Sequence, residues 1–91
     1  MFNKEDFVSL IIEDSDELPV IGKVLEVDTE ELWVEYWRGG WETKWRPWRE
    51  RGKVWRDQLP KRCVLLAFQL NQDNKLPTKI VNELKEIYGN V

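Results

Sequence analysis

The stretch Leu32-Trp33-Val34-Glu35-Tyr36-Trp37-Arg38-Gly39-Gly40-Trp41-Glu42-Thr43-Lys44-Trp45-Arg46-Pro47-Trp48 decides how the rest of this chain is read. It holds five of the six tryptophans, interleaved with Arg and Lys. Two strands joined at Gly39-Gly40 account for it, the glycines supplying the positive φ angles of a tight hairpin. In the first strand Leu32, Val34 and Tyr36 share one face and Trp33, Glu35 and Trp37 the other, and the first set reads as core. In the second strand, Thr43 to Trp48, the residues Thr43, Trp45 and Pro47 alternate against Lys44, Arg46 and Trp48. Pro47 cannot donate a ladder hydrogen bond, so this strand is expected to end there or to lie on an edge. So small a domain rarely gathers this much aromatic surface in one hairpin for packing alone. The hairpin is therefore expected to form both a wall of the fold and its recognition surface.

Upstream, Phe7 to Ile12 is apolar and β-branched, a short strand that stops at the acidic run Glu13-Asp14-Ser15-Asp16-Glu17. Pro19 restarts an extended segment, Val20 to Val27, and Asp28-Thr29-Glu30-Glu31 turns it into the Leu32 strand. Downstream, Arg49 to Lys53 reads as a charged loop, and Asp57-Gln58-Leu59-Pro60 as a single 3₁₀ turn. Arg62 to Leu70 is the strongest strand signal, followed by the polar loop Asn71 to Lys75. From about Pro77 the period changes from two to 3.6. Ile80, Leu84, Ile87 and Tyr88 form a stripe with Val81 beside it, Pro77 suits a first helical turn, and Gly89 suits the position past the end. Five short strands, a 3₁₀ turn before the last of them, and a terminal helix laid against the sheet describe a mainly β fold, a small SH3-like barrel. A length of 91 residues suits one such domain, with the barrel over about 6–70 and the helix over about 77–88.

The net charge of −3 hides a division. Residues 1–37 carry two basic against eleven acidic side chains, residues 38–62 carry nine against three, and the remainder balances. A basic face for an anionic partner and pairing of the two segments across a sheet both follow from this division. No apolar run approaches the roughly 20 residues of a membrane span. The acidic start lacks the pattern of a signal peptide, and the single cysteine, Cys63, excludes an internal disulfide; the expectation is an intracellular protein. There is no histidine for acid–base work or metal ligation, and no phosphate-binding glycine loop. Cys63, inside an apolar strand, reads as a buried small hydrophobe. The acids at Glu13, Asp14, Asp16 and Glu17 lack the glycine and closing Glu of a calcium loop. A binding module without catalysis, metal or cofactor is the expectation.

The segment Tyr36, Gly40-Trp41, Trp45 and Trp48 resembles the aromatic hairpin of the chromo-barrel, Tudor and chromodomain group, as Asp57 to Pro60 before Val64 resembles that group's turn before its last strand. The similarity covers about residues 20–66. It implies a chromatin-associated, nuclear reader of a histone-like or methyl-lysine peptide, with Tyr36, Trp41 and Trp45 as cage walls, Glu42 beside them, and Trp48 nearer the core. Cation–π attraction in such a cage is worth up to about 2 kcal/mol. The resemblance departs at Arg46, where the group often carries an acid. The full length is also similar to chromo-like modules at the C-terminal ends of mobile-element integrases, which implies a transposon-derived module targeting chromatin or DNA. In that reading Arg38, Lys44, Arg46, Arg49, Arg51, Lys53 and Arg56 neutralise phosphates, and exposed tryptophans stack on unpaired bases. A scaffold module whose tryptophan groove takes an extended peptide is a third reading. Trp33, Trp48 and Trp55 are expected in the packed interior, and Trp41 and Trp45 at the surface. The terminal helix could pack on its own barrel or on a second copy, leaving monomer and weak homodimer both open.

Overall fold

The computed structural model describes residues 2–10 and 20–89. Ile11, Ile12 and the acidic run to Glu17, expected to end the first strand and form a loop, lie outside the described residues. Among the described residues eight strands are present: β1 (Phe7–Leu10), β2 (Val20–Val27), β3 (Glu31–Arg38), β4 (Arg46–Pro47), β5 (Arg49–Glu50), β6 (Lys53–Val54), β7 (Arg56–Pro60) and β8 (Val64–Phe68). A 3₁₀ turn, Lys61–Cys63, precedes β8, and one helix, α1 (Thr78–Gly89), closes the described chain. Every described pairing is antiparallel. The fold is mainly β with a C-terminal helix.

β3 is the spine. In a six-stranded sheet ordered β4-β3-β2-β1-β8, β2 pairs along one edge of β3, while β4 and β7 share the other. β4 takes Trp37 and Arg38, and β7 takes Glu31 to Glu35. β5 and β6 form a separate two-stranded hairpin. Period-two alternation sends side chains to two faces, and both faces are packed. One face carries Val8, Leu10, Val24, Leu32 and Val34, with Tyr36 and Leu59 at its margin. The other carries Phe7, Ile21, Trp45, Phe68, Leu76 and Leu84, with Trp37 and Trp41 at its margin. All four residues of β1 are buried for this reason.

Two irregularities keep the faces in step. Between Val24 and Glu26 the register with β3 shifts, so Val24 and Val27, three residues apart, reach the same cluster. A second shift, where Leu10 pairs with Val64 and Ser9 with Leu66, sends Val64 and Leu66 to different clusters. The helix supplies the cover for the second face: Leu84 is fully buried and Ile80 and Val81 pack beside it. A side chain such as Leu84 gains roughly 1.5–3 kcal/mol from full burial. Ile87, counted in the same stripe, is exposed instead, and the side chain of Tyr88 lies outside the description.

Several expectations need correction. Eight strands replace five, because the charged segments each contribute short paired pieces. The strand expected over Thr43 to Trp48 contracts to Arg46–Pro47, although Pro47 does end it at a sheet edge. Gly39 and Gly40 do not have positive φ. Gly39 is needed for close approach: a Cβ there would lie 2.6 Å from Cδ2 of the Trp45 indole. Arg49 to Lys53 is a tight hairpin, with φ of 51° at Arg51 and 78° at Gly52, the double positive φ of a type I′ turn. Asp57 to Pro60 belongs to strand β7, held by β3, and the 3₁₀ turn follows it. Cys63 accordingly ends that turn, half-buried, rather than lying within an apolar strand.

Candidate functional site

Tyr36, Trp41 and Trp45, expected as cage walls, and Glu42 beside them do not converge on one site. Trp45 is 2% exposed and belongs to the helix-side core with Phe7, Ile21 and Leu84. Its Nε1 donates to the Gly40 carbonyl at 3.0 Å, and its backbone N–H to the Asn74 carbonyl at 2.6 Å. Strand alternation puts Tyr36 against the opposite cluster. There its hydroxyl donates to Asp57 Oδ2 at 3.0 Å. Burial first, then this hydrogen bond and the Asp57 charge, push the Tyr36 hydroxyl well above its ordinary value of 10.0. Trp41 is half-buried against the Trp45 cluster, and Lys85 Nζ already sits 5.5 Å from its ring centroid. Glu42 is exposed in the bend after Gly40.

Three of the basic residues, Arg38, Lys44 and Arg46, converge at the Arg38 end of β3. Arg38 and Arg46 stand directly opposite one another in the β3–β4 ladder. Like charges in that position destabilise an antiparallel pair. With Lys44, Trp37 and Trp48 they line a groove of ≈ 890 Å³ whose lining, among the described residues, includes no carboxylate. The Arg38 guanidinium lies 4.7 Å from the Trp48 ring centroid, a cation–π contact that orients it. The Trp48 indole N–H is buried with no hydrogen-bond partner among the described residues.

A second groove, ≈ 740 Å³, is lined by Arg51, Lys53, Val54, Trp55 and Arg56, with Glu50 as its one acid. The Trp48 and Trp55 rings, 6.4 Å apart and inclined at 37°, join the two grooves. The backbone ties them as well: Trp55 N–H donates to Trp48 O at 3.1 Å, and Tyr36 N–H donates to Trp55 O at 2.9 Å. Arg49 is exposed on β5 between them.

Four of the described acids lie at the far end of β3. Glu26, Asp28, Glu30 and Glu31 surround the β2–β3 turn. At about 3.3 Å per residue that turn is roughly 23 Å from Arg38 along β3. Lys61 and Arg62, basic but outside the expected set, lie near it, with Lys61 N–H donating to Glu30 O at 3.0 Å. Pairing across the sheet accounts for part of the charge division: Glu35 stands between Lys23 and Arg56, and Glu50 opposite Lys53. Arg38 and Arg46 have no such acid opposite them in the ladder.

Two tryptophans expected inside are outside: Trp55 is 49% exposed and Trp33 38%. The Arg38–Arg46 opposition is invisible in the sequence, because a turn centred on Gly39-Gly40 would set Arg38 against Trp41. The loop instead runs from Gly39 to Trp45. The doubled tryptophan spacing around Arg49 to Lys53, Trp48 before and Trp55 after, is the signal that could have marked this pair. Among the described residues no group of three or more Cys, Asp and Glu side chains is placed to hold a metal, and no helix is long and apolar enough to cross a membrane. No protein-family model, curated protein or solved structure matches this chain.

Proposed function

We propose that this chain is a non-catalytic nucleic-acid-binding module, an SH3-like barrel that meets the phosphate backbone with the basic edge from Arg38 to Arg56. The observation that carries this reading is the Arg38–Arg46 pair. Arg38 and Arg46 face one another in the ladder beside Lys44, in a groove whose described lining has no carboxylate, and place like charge where an anion would relieve the repulsion. Arg49, Arg51, Lys53 and Arg56 extend the same edge along the β5–β6 hairpin and into β7. The connectivity supports the barrel: β7 pairs with β3, β8 pairs with β1, and a single 3₁₀ turn links β7 to β8 across the ends of the sheet. Four acids, Glu26, Asp28, Glu30 and Glu31, sit at the far turn, and an anionic polymer meets local rather than net charge. A methyl-lysine cage built from Tyr36, Trp41 and Trp45 draws no support from this geometry, since the three are divided between two faces.

An NMR titration of the six indole N–H signals separates these readings. With a mixed-sequence oligonucleotide at low salt, the Trp48 and Trp55 signals should move and Trp45 should stay in place, with the shifts fading as salt rises. Movement of Trp41 and Trp45 with a trimethyl-lysine histone peptide, and none with the oligonucleotide, would overturn the proposal.

A further inference from the structure

We infer that the nucleic acid this edge prefers is single-stranded, with Trp55 as a fixed platform on which one unpaired base stacks. The inference rests on the basic-edge reading and adds the class of polymer to it. Trp55 is the most exposed large apolar side chain among the described residues, and its groove is lined by Arg51, Lys53 and Arg56, with Val54 and the single acid Glu50 beside them. A solvated indole among three cations is poorly explained by packing. It suits a ligand that offers a π-face and a phosphate within one nucleotide.

The platform is preorganised. Trp48 supports the Trp55 ring from one side at 6.4 Å, and the Arg38 guanidinium lies against Trp48 in turn, giving a run of Arg38, Trp48 and Trp55. The backbone on both sides of the Trp55 residue is hydrogen-bonded, through Trp48 and Tyr36. The backbone at Trp55 is held before binding, which lowers the ordering cost of stacking.

The interior of a duplex cannot use this surface. There each base face is covered by its neighbours, and withdrawing one base costs a few kcal/mol. A single strand presents its faces freely, and every base has one, so the preference should tolerate changes of sequence.

The test is fluorescence anisotropy at low salt with a labelled oligothymidylate of about 10 nucleotides, a length within the range of small binding folds. A blunt duplex of equal length is titrated in parallel, using wild type, Trp55→Ala, Trp55→Leu and Trp55→Phe. The expected result is tighter binding of the strand than of the duplex. Ala and Leu should lose roughly 10-fold to 100-fold on the strand and little on the duplex, and Phe should retain most of the affinity. Leu keeps apolar bulk without a π-face, so it stands in should the Ala variant melt early. Equal binding of both polymers with unchanged variants would overturn the platform and leave the basic edge standing. An equal loss on both polymers would make Trp55 a structural residue and overturn it too. Absence of binding to either polymer would overturn the inference and the proposed function together.

Discussion

Trp45 and Trp55 lie ten positions apart in the chain, and their surroundings are nearly opposite. Trp45 is packed under the helix, with its indole N–H satisfied by Gly40 and its ring pressed against Gly39 so closely that no Cβ fits between them. Trp55 stands half in solvent at a hairpin of arginines and lysines. Hairpin position and neighbouring residue types do not separate them; the presence or absence of a second layer does. Where α1 covers the sheet, an aromatic becomes core. Beside the β5–β6 hairpin, outside the helix-side cluster, an aromatic remains available to a ligand.

That contrast can be broken at its strongest point. Trp45→Ala should destabilise the protein by about 3–5 kcal/mol, the cost of a lost core aromatic. Chemical denaturation measures it, and a loss under 1 kcal/mol would place Trp45 at the surface after all. Gly39→Ala tests the same contact from the other side. Its methyl group must displace the Trp45 ring, so a loss of about 1–3 kcal/mol is expected, although alanine is a harmless substitution at most exposed loop sites.

A smaller effect is expected at Tyr36. Removing its hydroxyl in Tyr36→Phe breaks the bond to Asp57 at a half-exposed site, for a loss of about 1 kcal/mol. The pH dependence has a definite sign. The folded state holds the Tyr36 proton more tightly than the unfolded chain does, so its contribution is complete below the ordinary value of 10.0 and is lost as pH rises above it. Wild type should therefore lose stability above about pH 10. Tyr36→Phe should lose less over that range; identical alkaline melting curves would remove the Asp57 contact from the account.

The smallest change in stability, and the one of opposite sign, belongs to the basic edge. Arg46→Gln removes one member of a like-charged cross-strand pair and should raise stability by a few tenths of a kcal/mol while weakening oligonucleotide binding. Loss of both stability and binding would mean that Arg46 serves the fold.

Much of the fold was legible. The alternation of Leu32, Val34 and Tyr36, the end of the strand at Pro47, the strand preceding the polar loop, and the helical stripe around Leu84 all reflect local periodicities that tertiary packing did not override. The aromatic site was misread because a sheet with both faces covered makes burial independent of alternation. Trp45 and Tyr36 are each packed, but against different layers. Strand β7 was missed because Asp57 and Gln58 are polar; β3 pairs with it through the backbone, which composition does not reveal. The glycine pair was noticed for the wrong property, since close approach to an indole and positive φ both select glycine.

The central claim is that the Arg38 end of β3 holds phosphates. Its most direct test is the salt dependence of binding for wild type and for the Arg38→Gln/Arg46→Gln double variant, with melting curves recorded alongside. On a single strand each neutralised phosphate contributes about −0.7 to the slope of log affinity against log salt. The account predicts a slope shallower by about 1.4 in the double variant, with no loss of thermal stability. An unchanged slope in a folded double variant would contradict it.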